Sequence, residues 1–137
     1  MILITCVDDN FGMVFNHRRQ SQDRVLKKRI LQMTGKSVLW MNQYTAEQFK
    51  GVHAPQIRVD DSFLKKAGPG EYCFAETDSV EPYEKKCEKI ILFKWNRRYP
   101  RDLYFDIPLK THGWKRIASA SFPGSSHEKI DVEVYKK

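Results

Sequence analysis

The stretch FGMVFNHRRQSQDRVLKKRI, residues 11–30, gives the clearest indication of how this chain folds. It follows a short apolar run and leads into a helix that is predicted to start at Ser21 or Gln22 and to end at Gly35. Apolar residues recur at helical spacing along it: Leu26, Ile30 and Met33. At roughly 100° per residue, Asp23 points within about 20° of Ile30, so a carboxylate lies on the side that faces the core.

Asp23 has two readings at this point. In the first turn of a helix, a carboxylate favours the positive end of the helix dipole by roughly 0.3–1 kcal/mol and needs no other role. Alternatively, a half-buried Asp23 with a raised pKa meets the N–H donors of a ligand. The second reading makes Asp23 a ligand-binding or catalytic residue.

Length and composition fit a single domain over residues 1–137. The chain has 137 residues, of which 41% are hydrophobic, and this is enough to bury a core. The 24 Lys and Arg residues exceed the 17 acidic residues and give a formal charge of +7. This excess allows contact with phosphates or acidic metabolites, and it also fits an ordinary lysine-rich surface.

The cysteines and the first residues predict a cytoplasmic protein without membrane association. Cys6, Cys73 and Cys87 form no CxxC pair, and two of them lie in apolar strand-like runs, as expected for buried reduced thiols. The opening apolar run, Ile2–Val7, lacks a basic segment before it and stops at Asp8. It is too short for a signal peptide or a membrane span.

Short apolar runs alternate with helical segments and predict a mostly parallel sheet. Strands are predicted at residues 2–7, 37–41, 56–59, 72–75 and 89–95. Between them we expect a loop over residues 8–20, a short helix capped by Thr45, one capped by Asp60 or Asp61, and one capped by Asp78. The apolar alternation of Trp114, Ile117 and residues 130–134 predicts a C-terminal antiparallel hairpin. The sum is a mixed sheet of about seven or eight strands, parallel except at one edge.

Several motifs occur in an order that resembles one known family. They are Val7-Asp8, Gly12-Met13, the helix with Asp23, Thr34-Gly35, Val38-Leu39, Met41, Thr45, residues 71–74, Asp102-Leu103-Tyr104-Phe105 and Trp114 with the closing hairpin. In this order they resemble dihydrofolate reductase. The resemblance implies a three-layer α/β/α fold with a mixed, mostly parallel sheet and a C-terminal antiparallel hairpin.

The resemblance also implies roles for individual residues. Asp23 would be the acid that holds the pterin. Phe11 and Met13 would belong to the loop over the active site. Thr45 would begin the helix that lines the cofactor cleft.

Two departures from the family pattern predict that dinucleotide binding is lost and that no cofactor is bound. Where the family has consecutive glycines near the cofactor's pyrophosphate, this chain has Ala75-Glu76-Thr77-Asp78-Ser79, which adds negative charge. Where the family has a Gly-Arg pair that grips the cofactor's extra phosphate, this chain has Asn42-Gln43.

Two basic segments are candidate contacts for phosphate or nucleic acid. In residues 16–23, Arg18 and Arg19 are flanked by amides that include Gln22, a pattern that suits a phosphate or nucleobase. The second segment is Arg97-Arg98-Tyr99-Pro100-Arg101, a basic-aromatic patch of the type that stacks on bases. A solvated loop is the simpler alternative for each.

The four histidines predict no metal site, because His17, His53, His112 and His127 show no metal-binding spacing. Ordinary surface positions are expected for them. If His17 lay near His112 with an arginine close by, RNA cleavage by a general acid and base would become feasible.

Four classes of function remain open, and whether the protein is an enzyme stays open with them. The leading hypothesis is a dihydrofolate reductase-like protein without a working NADPH site, which binds a nucleotide, nucleobase or RNA in the former pterin pocket, with Asp23 at the floor and Arg18-Arg19 at the mouth. The alternatives are an NADPH-dependent reductase of a pterin or related heterocycle, and an RNA phosphodiester hydrolase that uses His17. A scaffold or inhibitor without a ligand is the fourth class, and a pocket filled by its own side chains would favour it. No oligomeric state is predicted.

Overall fold

The computed structural model describes residues 1–137, which form ten strands, three α-helices and one 3-10 helix. The strands are β1 (Ile2–Val7), β2 (Gly12–Phe15), β3 (Arg18–Arg19), β4 (Leu39–Met41), β5 (Ile57–Val59), β6 (Tyr72–Phe74), β7 (Lys89–Lys94), β8 (Leu103–Tyr104), β9 (Lys115–Phe122) and β10 (Ile130–Lys136). The helices are α1 (Arg24–Thr34), α2 (Gln43–Glu47), α3 (Phe63–Lys66) and the 3-10 helix Glu81–Lys86.

A seven-stranded sheet has the order β5-β4-β6-β1-β7-β10-β9. The first five strands in this order pair in parallel, whereas β10 is antiparallel to both β7 and β9. This arrangement confirms the predicted mixed sheet with a C-terminal antiparallel hairpin. The predicted strand in residues 56–59 is also confirmed, as β5 at the far edge.

The central strand β1 is buried on both faces, which explains a sequence that is apolar except for the buried Thr5. Leu3 and Val7 belong to one hydrophobic cluster with Phe63 of α3. Ile4 and Cys6 belong to a second cluster with Leu26 and Ile30 of α1. Because successive strand residues point to opposite faces, the two clusters lie on opposite sides of the sheet, and the molecule has three layers.

Residues 8–20 were expected to form a loop, and this expectation is wrong. Strands β2 and β3 form a hairpin, and β8 pairs with β2 to complete a small three-stranded sheet. The hairpin turns at Asn16 and His17, whose φ angles are 53° and 63°. Asn and His adopt this left-handed region more readily than most residues, so the turn forms without the Asn-Gly or Asp-Gly pair that signals a hairpin.

The helix starts differ from the predicted caps. Asp23, rather than Ser21 or Gln22, is the N-cap of α1, and Asn42, rather than Thr45, is the N-cap of α2. Asp106 accepts hydrogen bonds from the N–H groups of Val80 and Glu81, so it serves the 3-10 helix in place of the expected Asp78. Asp106 was missed because it lies far from this helix in the sequence.

The closing hairpin places its two strands in different environments. In β10, Ile130 and Val132 are buried as the alternation predicts, whereas Val134 is only partly buried and Glu133 is buried. Trp114 is buried just before β9. Strand β9 forms the sheet edge and is exposed along most of its length, with Ile117 55% exposed. No helix in the structure has the length and apolar character needed to cross a membrane.

Candidate functional site

The Asp23 carboxylate is buried, and both of its oxygens are saturated by groups of this chain. Oδ1 accepts the N–H groups of Val25 at 2.9 Å, Leu26 at 3.1 Å and Ser125 at 3.1 Å. Oδ2 accepts the Ser126 N–H at 2.8 Å and the Ser126 hydroxyl at 3.1 Å, and it lies 3.2 Å from Nδ1 of His127. The loop that leads into β10 therefore wraps around the start of α1.

These donors lower the pKa of Asp23 well below its usual range. Burial acts in the opposite direction, but the N–H groups of Ser126, Ser125 and Leu26 and the His127 ring together outweigh it. The expectation of a raised pKa at Asp23 is therefore wrong. The predicted N–H donors are present, but they come from the protein itself.

His127 is buried beside Asp23, although surface positions were expected for the histidines. Its ring stacks on Trp95, with 4.6 Å between ring centroids and 25° between planes. Nε2 of the ring lies 3.1 Å from the Ser21 hydroxyl and 3.2 Å from the Tyr99 hydroxyl. No local sequence signal marks this position, since these partners lie in distant parts of the chain.

Arg19 and Glu76 form a paired charge between β3 and the end of β6. The guanidinium donates from Nε to Glu76 Oε2 at 2.9 Å and from Nη2 to Oε1 at 3.1 Å. Gln48 donates to the same Oε1 at 2.8 Å, and the Arg19 guanidinium lies 4.4 Å from the centre of the Tyr44 ring. Both charges are therefore satisfied internally, and Arg19 does not project as a free cation.

Direct hydrogen bonds also join α2 to the segment after β6. Nδ2 of Asn42 donates to Thr77 Oγ1 and to Asp78 Oδ2, each at 3.2 Å. Burial and the nearby Asp61 raise the pKa of Asp78, although the Asn42 hydrogen bond opposes them. Thr45 is buried, and its hydroxyl has no partner.

The residues that were expected to share one pocket line three cavities, two of which have Arg19 and Ser21 in common. Met13 borders a cavity of only about 10 Å³, together with Ser21, Glu76 and Trp95. Phe11 lines an apolar cavity of about 540 Å³ with Tyr104, Phe105 and Trp114. Arg18, Arg19 and Gln22 line an outer cavity of about 530 Å³ with Gln20, Ser21 and Tyr44.

The two basic segments predicted from the sequence lie side by side. The Gln20 side chain donates to the Pro100 carbonyl at 3.3 Å, and Asp102 accepts the Asn16 N–H at 2.9 Å. A cavity of about 280 Å³ is lined by both segments: Phe15, Asn16, Arg18, Arg19, Gln20, Tyr99 and Pro100. Gly12 permits this approach, because a Cβ there would lie 2.8 Å from Arg101 Cβ.

We call the resulting surface the basic face. It comprises Phe15, Arg18, Arg98, Arg101 and Tyr104, all exposed. Arg101 lies over the Tyr104 ring, 4.7 Å from its centre. None of the three arginines of the basic face is paired with a carboxylate. Arg97 turns away from them and donates to the Ser126 carbonyl.

The two histidines considered for RNA cleavage have separate surroundings. His17 lies in the turn between β2 and β3, whereas Nδ1 of His112 bonds to Glu84 on the 3-10 helix at 2.8 Å. No hydrogen bond joins the two imidazoles. No group of three His, Cys, Asp or Glu side chains is arranged to hold a metal ion.

The parallel sheet, its antiparallel edge and the helix layers on both faces give this chain a dihydrofolate reductase-like fold. A solved structure of dihydrofolate reductase from Enterococcus faecalis, in complex with NADP(H) and RAB-propyl, superimposes with a TM-score of 0.63. The match covers 98% of this chain and 94% of that one at 12% sequence identity. No protein-family model and no curated protein sequence matches the chain. The fold is therefore shared although the sequence has diverged.

Proposed function

We propose that this protein binds single-stranded RNA or a related nucleotide on its basic face, and that the interior of the fold takes no dinucleotide. The observation that carries the proposal is the junction of two basic segments that lie far apart in the sequence. Their junction places Arg18 and Arg101 on one surface with the exposed rings of Phe15 and Tyr104, and Arg98 is exposed in the second segment. The site thus differs from the interior pterin pocket that the sequence had suggested.

The chemistry of the basic face suits a flexible polyanion. Arg18, Arg98 and Arg101 offer guanidinium groups with free donors, and such groups bind phosphate oxygens in a bidentate manner. Phe15 and Tyr104 are 48% and 49% exposed, so each offers a ring on which a base can stack. Stacking contributes about 1–3 kcal/mol per base and requires bases that are free of a duplex, which favours a single strand.

The interior contacts support the second half of the proposal. Close approach of a pyrophosphate requires small residues and free N–H donors, whereas this chain has Glu76 paired with Arg19. Asn42 bonds directly to Thr77 and Asp78 across the position where the resemblance would place the cofactor cleft. The residues present there do not fit a dinucleotide. Because Arg19 balances the negative charge of Glu76, we attribute the poor fit to this internal pairing and not to repulsion between Glu76 and the pyrophosphate.

Fluorescence anisotropy with a labelled single-stranded RNA tests binding at the basic face. We expect the affinity for RNA to fall as the salt concentration rises. Arg18→Gln combined with Arg98→Gln should flatten the slope of log affinity against log salt concentration by about 1.4, because each lost phosphate contact removes about 0.7 for a single strand. Lys28→Gln combined with Lys36→Gln is the matched control, because it also removes two exposed charges and neither residue lines a cavity beside this face. Equal loss in the control and the double variant would overturn the proposal.

Two assays separate this proposal from the enzymatic alternatives. Oxidation of NADPH with dihydrofolate, abolished by Asp23→Asn, would identify a reductase. Cleavage of a structured RNA, lost in His17→Ala, would identify a phosphodiester hydrolase. We expect neither reaction, and RNA that is bound and recovered intact supports a binding protein.

A further inference from the structure

The buried His127 connects a serine hydroxyl to a carboxylate. Ser21 Oγ lies 3.1 Å from Nε2, and Asp23 Oδ2 lies 3.2 Å from Nδ1 of the same ring. Stacking on Trp95 fixes the plane of the imidazole. We infer that Ser21, His127 and Asp23 form a nucleophile, base and orienting acid that hydrolyse esters of anionic acids.

The roles follow from the hydrogen-bond directions. Asp23 is held as a carboxylate by its backbone donors, so it accepts the Nδ1–H of His127 and leaves Nε2 free to take a proton. The Ser21 hydroxyl is then the donor to Nε2. Tyr99 competes for the same lone pair at 3.2 Å, and Ser126 Oγ lies 3.0 Å from Nδ1. Asp23 acts through His127 and is therefore a positioning residue.

Ser21 is reached from solvent, unlike His127 and Asp23. It is partly exposed and lines the outer cavity of about 530 Å³. The backbone N–H groups of Ser21 and Gln22 have no partner within the chain, so both are free to stabilise an oxyanion. Arg18 lines the same cavity and has no carboxylate partner. The cavity therefore suits a small ester that carries a carboxylate.

The reaction is a hydrolysis with water as co-substrate. Ser21 Oγ bonds to the ester carbonyl carbon while its proton passes to His127 Nε2. The tetrahedral intermediate expels the alcohol, which takes that proton, and an acyl-serine remains. Water then attacks the acyl carbon and gives its proton to Nε2. The bond to Ser21 breaks, the serine regains the proton, and a carboxylic acid leaves.

A fluorophosphonate probe, followed by peptide mass spectrometry, tests the nucleophile directly. We expect one adduct, on Ser21, which is absent in Ser21→Ala and retained in Ser119→Ala, a control at an exposed serine of β9. Hydrolysis of 4-nitrophenyl hemisuccinate should fall at least about 100-fold in Ser21→Ala. No adduct, an adduct elsewhere, or equal hydrolysis by Ser21→Ala would overturn the inference.

Further variants separate positioning from folding. Asp23→Asn should lower kcat with little change in KM, because the imidazole then presents the wrong tautomer. Circular dichroism checks that this variant keeps its fold. Tyr99→Phe should retain adduct formation, since it removes only the competing hydroxyl. Lys28→Gln lies outside both sites and should leave ester hydrolysis unchanged. Ser21→Ala removes no charge from the basic face, so failure of this inference does not bear on RNA binding.

Discussion

Replacing Glu76 by Gln tests whether the paired charge with Arg19 holds the interior closed. The side chains of Arg19 and Glu76 are only 17% and 6% exposed, and they share a bidentate contact. Removing one partner of a fully buried pair costs about 3–5 kcal/mol, because the other charge is left without a partner. Arg19 keeps some contact with water, so we expect about 2–3 kcal/mol, which lowers Tm by roughly 10 °C in a domain of this size.

Urea unfolding followed by circular dichroism measures this cost, and two variants serve as controls. The exposed pair of Lys50 and Glu47 is 3.9 Å apart with side chains 84% and 57% exposed, so Lys50→Met should cost under about 1 kcal/mol. The double variant Arg19→Met/Glu76→Met removes both charges and should recover much of the single-variant loss. If Glu76→Gln costs no more than Lys50→Met, the pair does not hold the interior together.

Three further predictions concern the loop around Asp23 and the end of α1. Because the folded-state pKa of Asp23 is lowered, its contribution to folding stability is complete above the ordinary carboxyl range and is lost on acidification. Urea titrations from about pH 5 to pH 2 should therefore show a steeper loss of stability in the wild type than in Asp23→Asn. A Cβ at Gly124 would overlap Asp23 Oδ2 and lie 2.9 Å from Ile130 Cδ1, so Gly124→Ala should lower Tm clearly. An unchanged Tm would show that the loop is not tightly packed. Gly35 has φ −59° and ψ −23°, a conformation open to any residue, so Gly35→Ala should raise stability by about 0.4–1 kcal/mol, and a loss measured by the same unfolding assay would contradict this.

The sheet could be predicted from the sequence because its strands carry their own local signal. Ile2–Val7 is apolar except for Thr5, and residues 90–93 form a second apolar run, as strands buried on both faces require. The antiparallel hairpin was predictable from the alternation in β10. Strand β9 was harder to read, because an edge strand needs little burial and Ile117 faces solvent.

The candidate site could be predicted only in part. Arg18 and Asp23 were found from their place before the first helix, and Arg98 and Arg101 from the basic-aromatic pattern. Nothing local showed that Asp23 would be satisfied by a loop about a hundred residues later. His127 was missed for the same reason, since its identity as a buried residue depends on side chains brought together by the fold.

The β2–β3 hairpin shows a second limit of sequence reading. Its turn uses Asn16 and His17 in a conformation that glycine usually supplies, so the segment reads as a loop. This hairpin brings Arg19 to Glu76, and it brings Arg18 beside the segment that contains Arg98. Both the closed interior and the basic face therefore depend on an element that the sequence pattern does not indicate.

We propose that ligands bind the outer basic face while the interior is closed by the protein's own side chains. Two-dimensional ¹H–¹⁵N NMR titrations with a short single-stranded RNA and, separately, with NADPH test it most directly. We expect RNA to shift the amide signals of Phe15, Arg18, Arg98, Arg101 and Tyr104, and NADPH to leave the signals of Asn42, Thr45 and residues 76–79 unshifted. Saturable shifts with NADPH at Asn42, Thr45 and residues 76–79 would contradict it.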